Sequence, residues 1–403
     1  MRRLFKVPVI FLFIGSILGL FLRWQHISPI EHVNYMFVLH SHSHVMFLGW
    51  VFNTLFIAFT LNHVLEIKQR SFRALFVVLQ LLVLGMLISF PLQGYGFYSI
   101  LFSTLHTAIA IVFIVKFFNQ TKRVKSISAW YARIALIFFL ISTAGPFSLA
   151  YLKSAGLSHT NWYNFSIYFY LHFQYNGLFL FGVLSLFFDL LERRHVQFGI
   201  AKAKRVGVIM GVSCLPAYFL STLWASPGGI YFLIAGLAAL FQLFGWIILV
   251  RLIIASAKEI KSTFNLASIQ FLFIALIAFT LKLLLQLMSA WPSVAQFAFE
   301  LRPVIISYLH LVLLGVISLP LLVWLLESEF INIHAGIKSI ALFVLSFLGM
   351  EACLVMYPWW SSIVGPEFPS AASVTFFFSA FLCLSALLLV TATRRKQLTK
   401  IST

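Results

Sequence analysis

Apolar segments long enough to cross a membrane recur along the whole chain. A transmembrane helix needs about 20 predominantly apolar residues. Twelve candidate segments are separated by short connections, at residues 6–22, 34–61, 73–91, 97–118, 129–152, 164–191, 205–224, 228–252, 264–290, 303–326, 338–358 and 370–392. Only 9% of the 403 residues are charged, which is too few for the surface of a soluble protein of this length. The sequence therefore predicts an all-α integral membrane protein of about twelve spans.

The positions of the basic residues predict the topology. If the N-terminus is placed on the inner side, all but four of the 28 Lys and Arg residues fall in inner segments. The exceptions are Arg23, Lys153 and Arg302 on the outer side and Lys282 inside a span. Because cytoplasmic segments carry an excess of Lys and Arg, we expect cytoplasmic N- and C-termini in a bacterial-type inner (plasma) membrane. The net charge of +18 then indicates anionic lipid as a partner, and not nucleic acid.

A short motif, His-x-x-x-x-Gly, occurs in the second, sixth and tenth predicted spans. The three copies are His44 to Gly49, His172 to Gly177 and His310 to Gly315. Successive histidines are 128 and 138 residues apart, which is four spans each time. This spacing predicts three four-helix units, 1–127, 128–263 and 264–403, within a single transmembrane domain. A transporter built from two six-helix halves would instead repeat after six spans.

Intramembrane histidines are the main candidates for a binding site. His44, His106, His172 and His310 all lie about 10–16 Å from the outer end of their spans. One buried histidine is better explained by a hydrogen bond to a neighbouring helix, but four in one layer predict a bound haem or metal ion.

The second span carries two further histidines, His40 and His42. His40 and His44 are four residues apart and share one helix face, whereas His42 and His44 point to opposite sides. A helix that holds one metal ion would use the first pair. A helix that stands between two cofactors, or that holds one ligand and one supporting residue, would use the second pair.

Three charged residues lie in or beside the predicted spans. Lys282 and Glu351 are inside the ninth and eleventh spans, where they could form an ion pair or Glu351 could relay protons. Arg302 begins the tenth span, eight residues before His310. It would either contact a haem propionate or anchor the helix at the membrane interface.

Twelve spans in three units, with histidines on the second, sixth and tenth, resemble subunit I of the haem–copper oxidase superfamily, which includes the nitric-oxide reductases. The resemblance implies that His42 or His44, together with His310, ligates a haem b, and that His172 binds copper or non-haem iron. His42-Ser-His44-Val-Met-Phe-Leu-Gly49-Trp50 also looks like the NnrS family of haem-and-copper proteins. His106 and His40 remain further candidate metal ligands.

The chain departs from the superfamily at two places. Its seventh predicted span contains no histidine, and Tyr308 stands where the tenth helix of the family carries the first of two histidines. The usual high-spin haem ligand and two ligands of the second metal are therefore absent, so an ordinary oxygen-reducing centre is not predicted.

The resemblance implies electron transfer or a redox role related to nitric oxide or oxygen, with a quinol or a cytochrome as the redox partner. If the protein is an enzyme, it is an oxidoreductase of this type. Two other classes stay open. Lys282, Glu351 and the histidines could form the path of a proton-coupled or metal transporter, or the chain could be a cofactor-free assembly or scaffold protein.

Overall fold

The computed structural model describes residues 1–226, 228–364 and 370–393, and this part of the chain is helical with no β-strand. Eleven of its helices are long and apolar enough to cross a membrane. A shorter helix, Ile200–Cys214, is numbered with these eleven as the seventh. In chain order the helices are α1 (Lys6–Trp24), α2 (Tyr35–His63), α3 (Glu66–Gln93), α4 (Phe97–Thr121), α5 (Ile127–Ser154), α6 (Asn161–Arg193), α7 (Ile200–Cys214), α8 (Gly229–Ala255), α9 (Leu266–Met288), α10 (Arg302–Glu327), α11 (Ile333–Met356) and α12 (Ala371–Ala392). The prediction of an all-α multi-pass membrane protein is confirmed.

The seventh predicted span, 205–224, is not one continuous α-helix. Helix α7 ends at Cys214, and a 3₁₀ segment follows over Pro216–Ser221. Proline has no N–H to donate to the carbonyl four residues earlier and its ring crowds that carbonyl, so the α-helical hydrogen bonding does not continue through Pro216. Both parts pack against α8. The described part of the chain therefore has eleven helices long and apolar enough to cross a membrane, and the seventh of the twelve predicted spans corresponds to this broken segment.

The chain divides into two compact units. Unit 1 consists of Met1–Gln120, Leu322–Cys353 and Trp360–Thr403, and unit 2 of Thr121–Leu321 and Leu354–Trp359. In unit 1, α1 packs against α2 and α12, and in unit 2, α5 packs against α6. The predicted division into three units is not tested by this partition. The basic residues Arg394, Arg395, Lys396 and Lys400, which contributed to the predicted inner C-terminus, lie outside the described residues.

The start of α5 is capped by a carboxylate from the end of α6. One oxygen of Glu192 accepts a hydrogen bond from the backbone N–H of Ile127 at 2.6 Å, and the other accepts from Ser128 at 3.3 Å. The first N–H groups of a helix have no partner within the helix, so a carboxylate there satisfies them and interacts favourably with the helix dipole. Glu192 therefore joins the two helices at this end of unit 2.

We expect Glu192→Ala to lower the stability of the purified protein by about 1–3 kcal/mol, because two buried N–H groups lose a charged acceptor. Thermal unfolding in detergent would measure the change. Glu300→Ala is the matched control, since Glu300 is exposed and accepts only from the Gln296 side chain. Equal losses in the two variants would contradict the capping role of Glu192.

Candidate functional site

A π-helical segment interrupts each of the three helices that carry the His-x-x-x-x-Gly motif. The segments are Val45–Phe52 in α2, Phe173–Phe179 in α6 and Leu311–Ser318 in α10. Each begins at the residue directly after the motif histidine. π-Helical turns are rare in proteins, and those that occur are often found at functional sites. His44, His172 and His310 thus occupy the same position relative to a local change of helix geometry.

The motif glycines of α2 and α6 make the same kind of close contact. A Cβ atom on Gly49 would lie 2.8 Å from Cγ of Phe11 in α1, and a Cβ on Gly177 would lie 2.5 Å from Cβ of Phe138 in α5. In both cases a phenylalanine of the preceding helix packs onto the glycine backbone. The sequence repeat is therefore accompanied by a repeat in packing.

The orientation of the His44 ring is fixed by a backbone hydrogen bond. Nδ1 of His44 is 2.8 Å from the carbonyl oxygen of His40. A carbonyl oxygen only accepts, so Nδ1 carries the proton and Nε2 has a free lone pair, as is usual in metal-binding histidines. The ring lies against Phe90 of α3, with centroids 4.3 Å apart. His44 therefore has the tautomer and support of a metal or haem ligand.

His42 is held in the same way but towards a different helix. Its Nδ1 is 2.8 Å from the carbonyl oxygen of Gly15 in α1, so its Nε2 is also unprotonated. The α1 backbone comes close to this ring, because a Cβ on Gly19 would lie 3.0 Å from Cε1 of His42. His42 therefore faces α1, whereas His44 faces α3.

Two other predicted site residues lie in unit 1 with His44. The ring of His40 is 4.5 Å from that of Tyr95, which is also close to His44. His106 of α4 is only 1% exposed, contacts Phe52 of the π-helical segment, and lies within electrostatic range of His44. Its buried Nε2 has no hydrogen-bond partner in the described part of the chain. Unit 1 therefore contains all three histidines, and His40 and His44 both lie beside Tyr95.

His172, in unit 2, has a different environment. Its Nε2 donates to the carbonyl oxygen of Cys214 at 2.9 Å, and its Nδ1 accepts from the side-chain amide of Asn176 at 3.1 Å. Both ring nitrogens are therefore engaged, so this arrangement does not fit His172 as a metal ligand. The Cys214 contact was missed by sequence reasoning, since no motif marks a partner 42 residues away.

Lys282 lies near this pair in unit 2. It is 2% exposed, and its ammonium nitrogen is 5.7 Å from the centroid of the Phe279 ring, without a hydrogen bond among the described residues. Cys214 and His172 are within its electrostatic range. Glu351 is half-buried and belongs to unit 1. The predicted ion pair of Lys282 with Glu351, and the proton relay, stay predictions.

His310 and Arg302 belong to α10. His310 is half-buried and directly precedes the π-helical segment Leu311–Ser318, which packs against the corresponding segment of α6 in unit 2. Arg302 is exposed at the first position of α10. The haem-ligand role of His310 and the propionate contact of Arg302 stay predictions.

Among the described residues, no three His, Cys, Asp or Glu side chains form a group that could hold a metal ion. The predicted copper or non-haem iron site is therefore not supported by a ready ligand set. No known family model matches the chain, and no curated protein matches its sequence.

Proposed function

We propose that this chain is a multi-pass plasma-membrane protein that binds haem b and transfers electrons, and that it is a divergent relative of subunit I of the haem–copper oxidases. The observation that carries the proposal is the 2.8 Å hydrogen bond between Nδ1 of His44 and the carbonyl oxygen of His40. The Nδ1–H of His44 is held by the His40 carbonyl, which leaves the Nε2 lone pair for an iron ion. Among the four histidines of α2, only His44 stands at the motif position next to the π-helical segment.

The surroundings of His44 suit a flat, apolar macrocycle. Phe90 and Tyr95 flank the ring, and the buried Nε2 of His106 supplies a second imidazole nitrogen in the same unit. Aromatic contacts support the imidazole plane, and the hydrogen bond to the carbonyl raises its basicity. A haem held by two histidines would supply one-electron transfer. The resemblance implies His310 as the second axial ligand.

The proposed role is electron transfer, or a redox response to nitric oxide or oxygen, with a quinol or a cytochrome as the partner. This role rests on the resemblance together with the haem proposal. Optical spectroscopy of the purified protein, in the oxidised and the reduced state, tests the haem itself. Variants of the histidines then identify the ligands.

We further propose that the chain crosses the membrane twelve times, with α7 and its 3₁₀ extension as the seventh crossing. The 15 residues of Ile200–Cys214 extend about 22 Å as an α-helix, and the six of Pro216–Ser221 add about 12 Å as a 3₁₀ helix. Together they match a hydrocarbon core of about 30 Å. An even number of crossings also keeps both termini on the inner side.

Cysteine labelling tests this crossing. With the three native cysteines changed to alanine, Gln197→Cys is expected to react with a membrane-impermeant thiol reagent only from the cytoplasmic side, and Gly229→Cys only from the outside. Intact and permeabilised cells would be compared. Labelling of both positions from the same side would contradict the seventh crossing.

A further inference from the structure

A cavity with basic walls opens between the start of α3 and the end of α4. Its volume is about 500 Å³. We call it the basic cleft; its lining residues are Ile67, Lys68, Arg70, Ser71, Phe72, Ala74, Lys116 and Gln120. All belong to unit 1. None of the histidines described above lines the basic cleft, so it is separate from the candidate haem site.

The charge of the basic cleft is positive. Lys68, Arg70 and Lys116 line it, and its lining includes no carboxylate from the described part of the chain. Lys116 is half-buried, with its ammonium nitrogen 5.9 Å from the centroid of the Phe72 ring. The N-terminal end of the α-helix that begins at Gln69 lies at the same place and adds the positive end of its dipole. Three cationic side chains and one helix N-terminus, each of which favours anion binding, therefore lie at this cavity.

Apolar surface continues from the basic cleft along the same two helices. Ile67 at its rim is 86% exposed. Further along, the large exposed apolar side chains include Val77, Val78 and Leu81 on α3 and Val112 and Val115 on α4. A second cavity of about 340 Å³ lies between the two helices and is lined by Gly85, Ile88, Ser89, Leu92, Gln93, Tyr98 and Phe102. A ligand with one anionic end and long apolar chains matches this surface.

We propose that the basic cleft binds the phosphate group of an anionic phospholipid, whose acyl chains lie along α3 and α4. The three cations neutralise the headgroup, and the exposed apolar side chains contact the chains. The cleft also lies at the ends of α3 and α4 that the charge pattern predicts to face the cytoplasm, where anionic lipids attract basic segments. A free phosphate would use the cations and leave the apolar surface without a role.

Native mass spectrometry of the full-length protein from nanodiscs tests the site. The nanodiscs would contain phosphatidylcholine with or without 30% phosphatidylglycerol. Wild type is expected to retain phosphatidylglycerol in preference to phosphatidylcholine. The triple variant Lys68→Gln, Arg70→Gln, Lys116→Gln is expected to lose about two orders of magnitude in affinity for it, since each cation near an anionic lipid contributes about a fivefold step and the three steps multiply.

The matched control removes three cations that do not line the basic cleft. The control is the triple variant Lys258→Gln, Lys261→Gln, Lys338→Gln. These three lysines are exposed and lie in predicted inner segments, so the control variant is expected to bind the lipid like wild type. Lys116→Arg keeps the charge and should also keep the lipid. Equal lipid retention in the two triple variants would overturn the proposal. So would full displacement of the lipid by millimolar inorganic phosphate, which would identify a free anion as the ligand.

Discussion

His44→Ala is expected to abolish the low-spin haem spectrum of the purified protein. The imidazole of His44 is held by the His40 carbonyl with Nε2 free, and alanine offers no replacement ligand. Without this histidine the haem would be bound differently or not at all, so the sharp bands of the reduced spectrum should disappear. The haem content per protein, measured as the pyridine haemochrome, would accompany each spectrum.

His172→Ala is the matched control for this experiment. His172 occupies the same motif position in α6, but both of its ring nitrogens are hydrogen-bonded. We expect this variant to keep the low-spin spectrum. A normal spectrum in His44→Ala together with a lost one in His42→Ala would contradict the choice of ligand on α2.

Two further variants identify the second axial ligand. The resemblance implies that His310→Ala loses the low-spin spectrum as His44→Ala does. His106→Ala tests the buried imidazole that lies near His44 in unit 1. If His106→Ala alone matches His44→Ala, the second ligand comes from α4, and the implied role of His310 is wrong.

Gly177→Ala is expected to destabilise the protein strongly, although alanine normally favours a helix over glycine by about 1 kcal/mol. The added methyl group would lie 2.5 Å from Cβ of Phe138, so the two helices must separate or the π-helical segment must shift. Overpacking of this kind costs about 1–3 kcal/mol, and sometimes more. A lower midpoint of thermal unfolding in detergent is the expected result.

Gly211→Ala provides the comparison for Gly177→Ala. A Cβ atom at Gly211 in α7 would lie 3.6 Å from Cζ of Phe181, an ordinary contact distance. Gly211→Ala should unfold at or above the midpoint temperature of wild type. Gly49→Ala should be destabilised like Gly177→Ala, because the added methyl group would lie 2.8 Å from Cγ of Phe11. If all three variants unfold at the wild-type midpoint, the repeated glycine contact does not hold these helices together.

The apolar segments predicted most of the fold, because length and hydropathy alone decide which helices can cross a bilayer. The break at Pro216 was missed, since Val206 to Trp224 contains no charged residue and its hydropathy gives no sign of where the helix ends. The π-helical segments were also missed. Their residues are ordinary apolar helix residues, and the change in hydrogen bonding depends on packing between helices.

The candidate site was predicted in part. His40 and His44 are four residues apart, so local helix geometry already places the carbonyl of His40 beside the ring of His44. The partners of His42 and His172 come from Gly15 and Cys214, which are distant in sequence and have no marked chemistry. Such contacts between side chain and backbone depend on how the helices are rotated, which a single sequence does not specify.

The reduced-minus-oxidised optical spectrum of the detergent-purified wild-type protein, from a host with sufficient haem, tests the central proposal most directly. We predict the sharp bands of a low-spin b-type haem on reduction with dithionite, with haem bound in a fixed ratio to protein. A colourless protein that is folded and monodisperse would contradict the proposal that this chain binds haem.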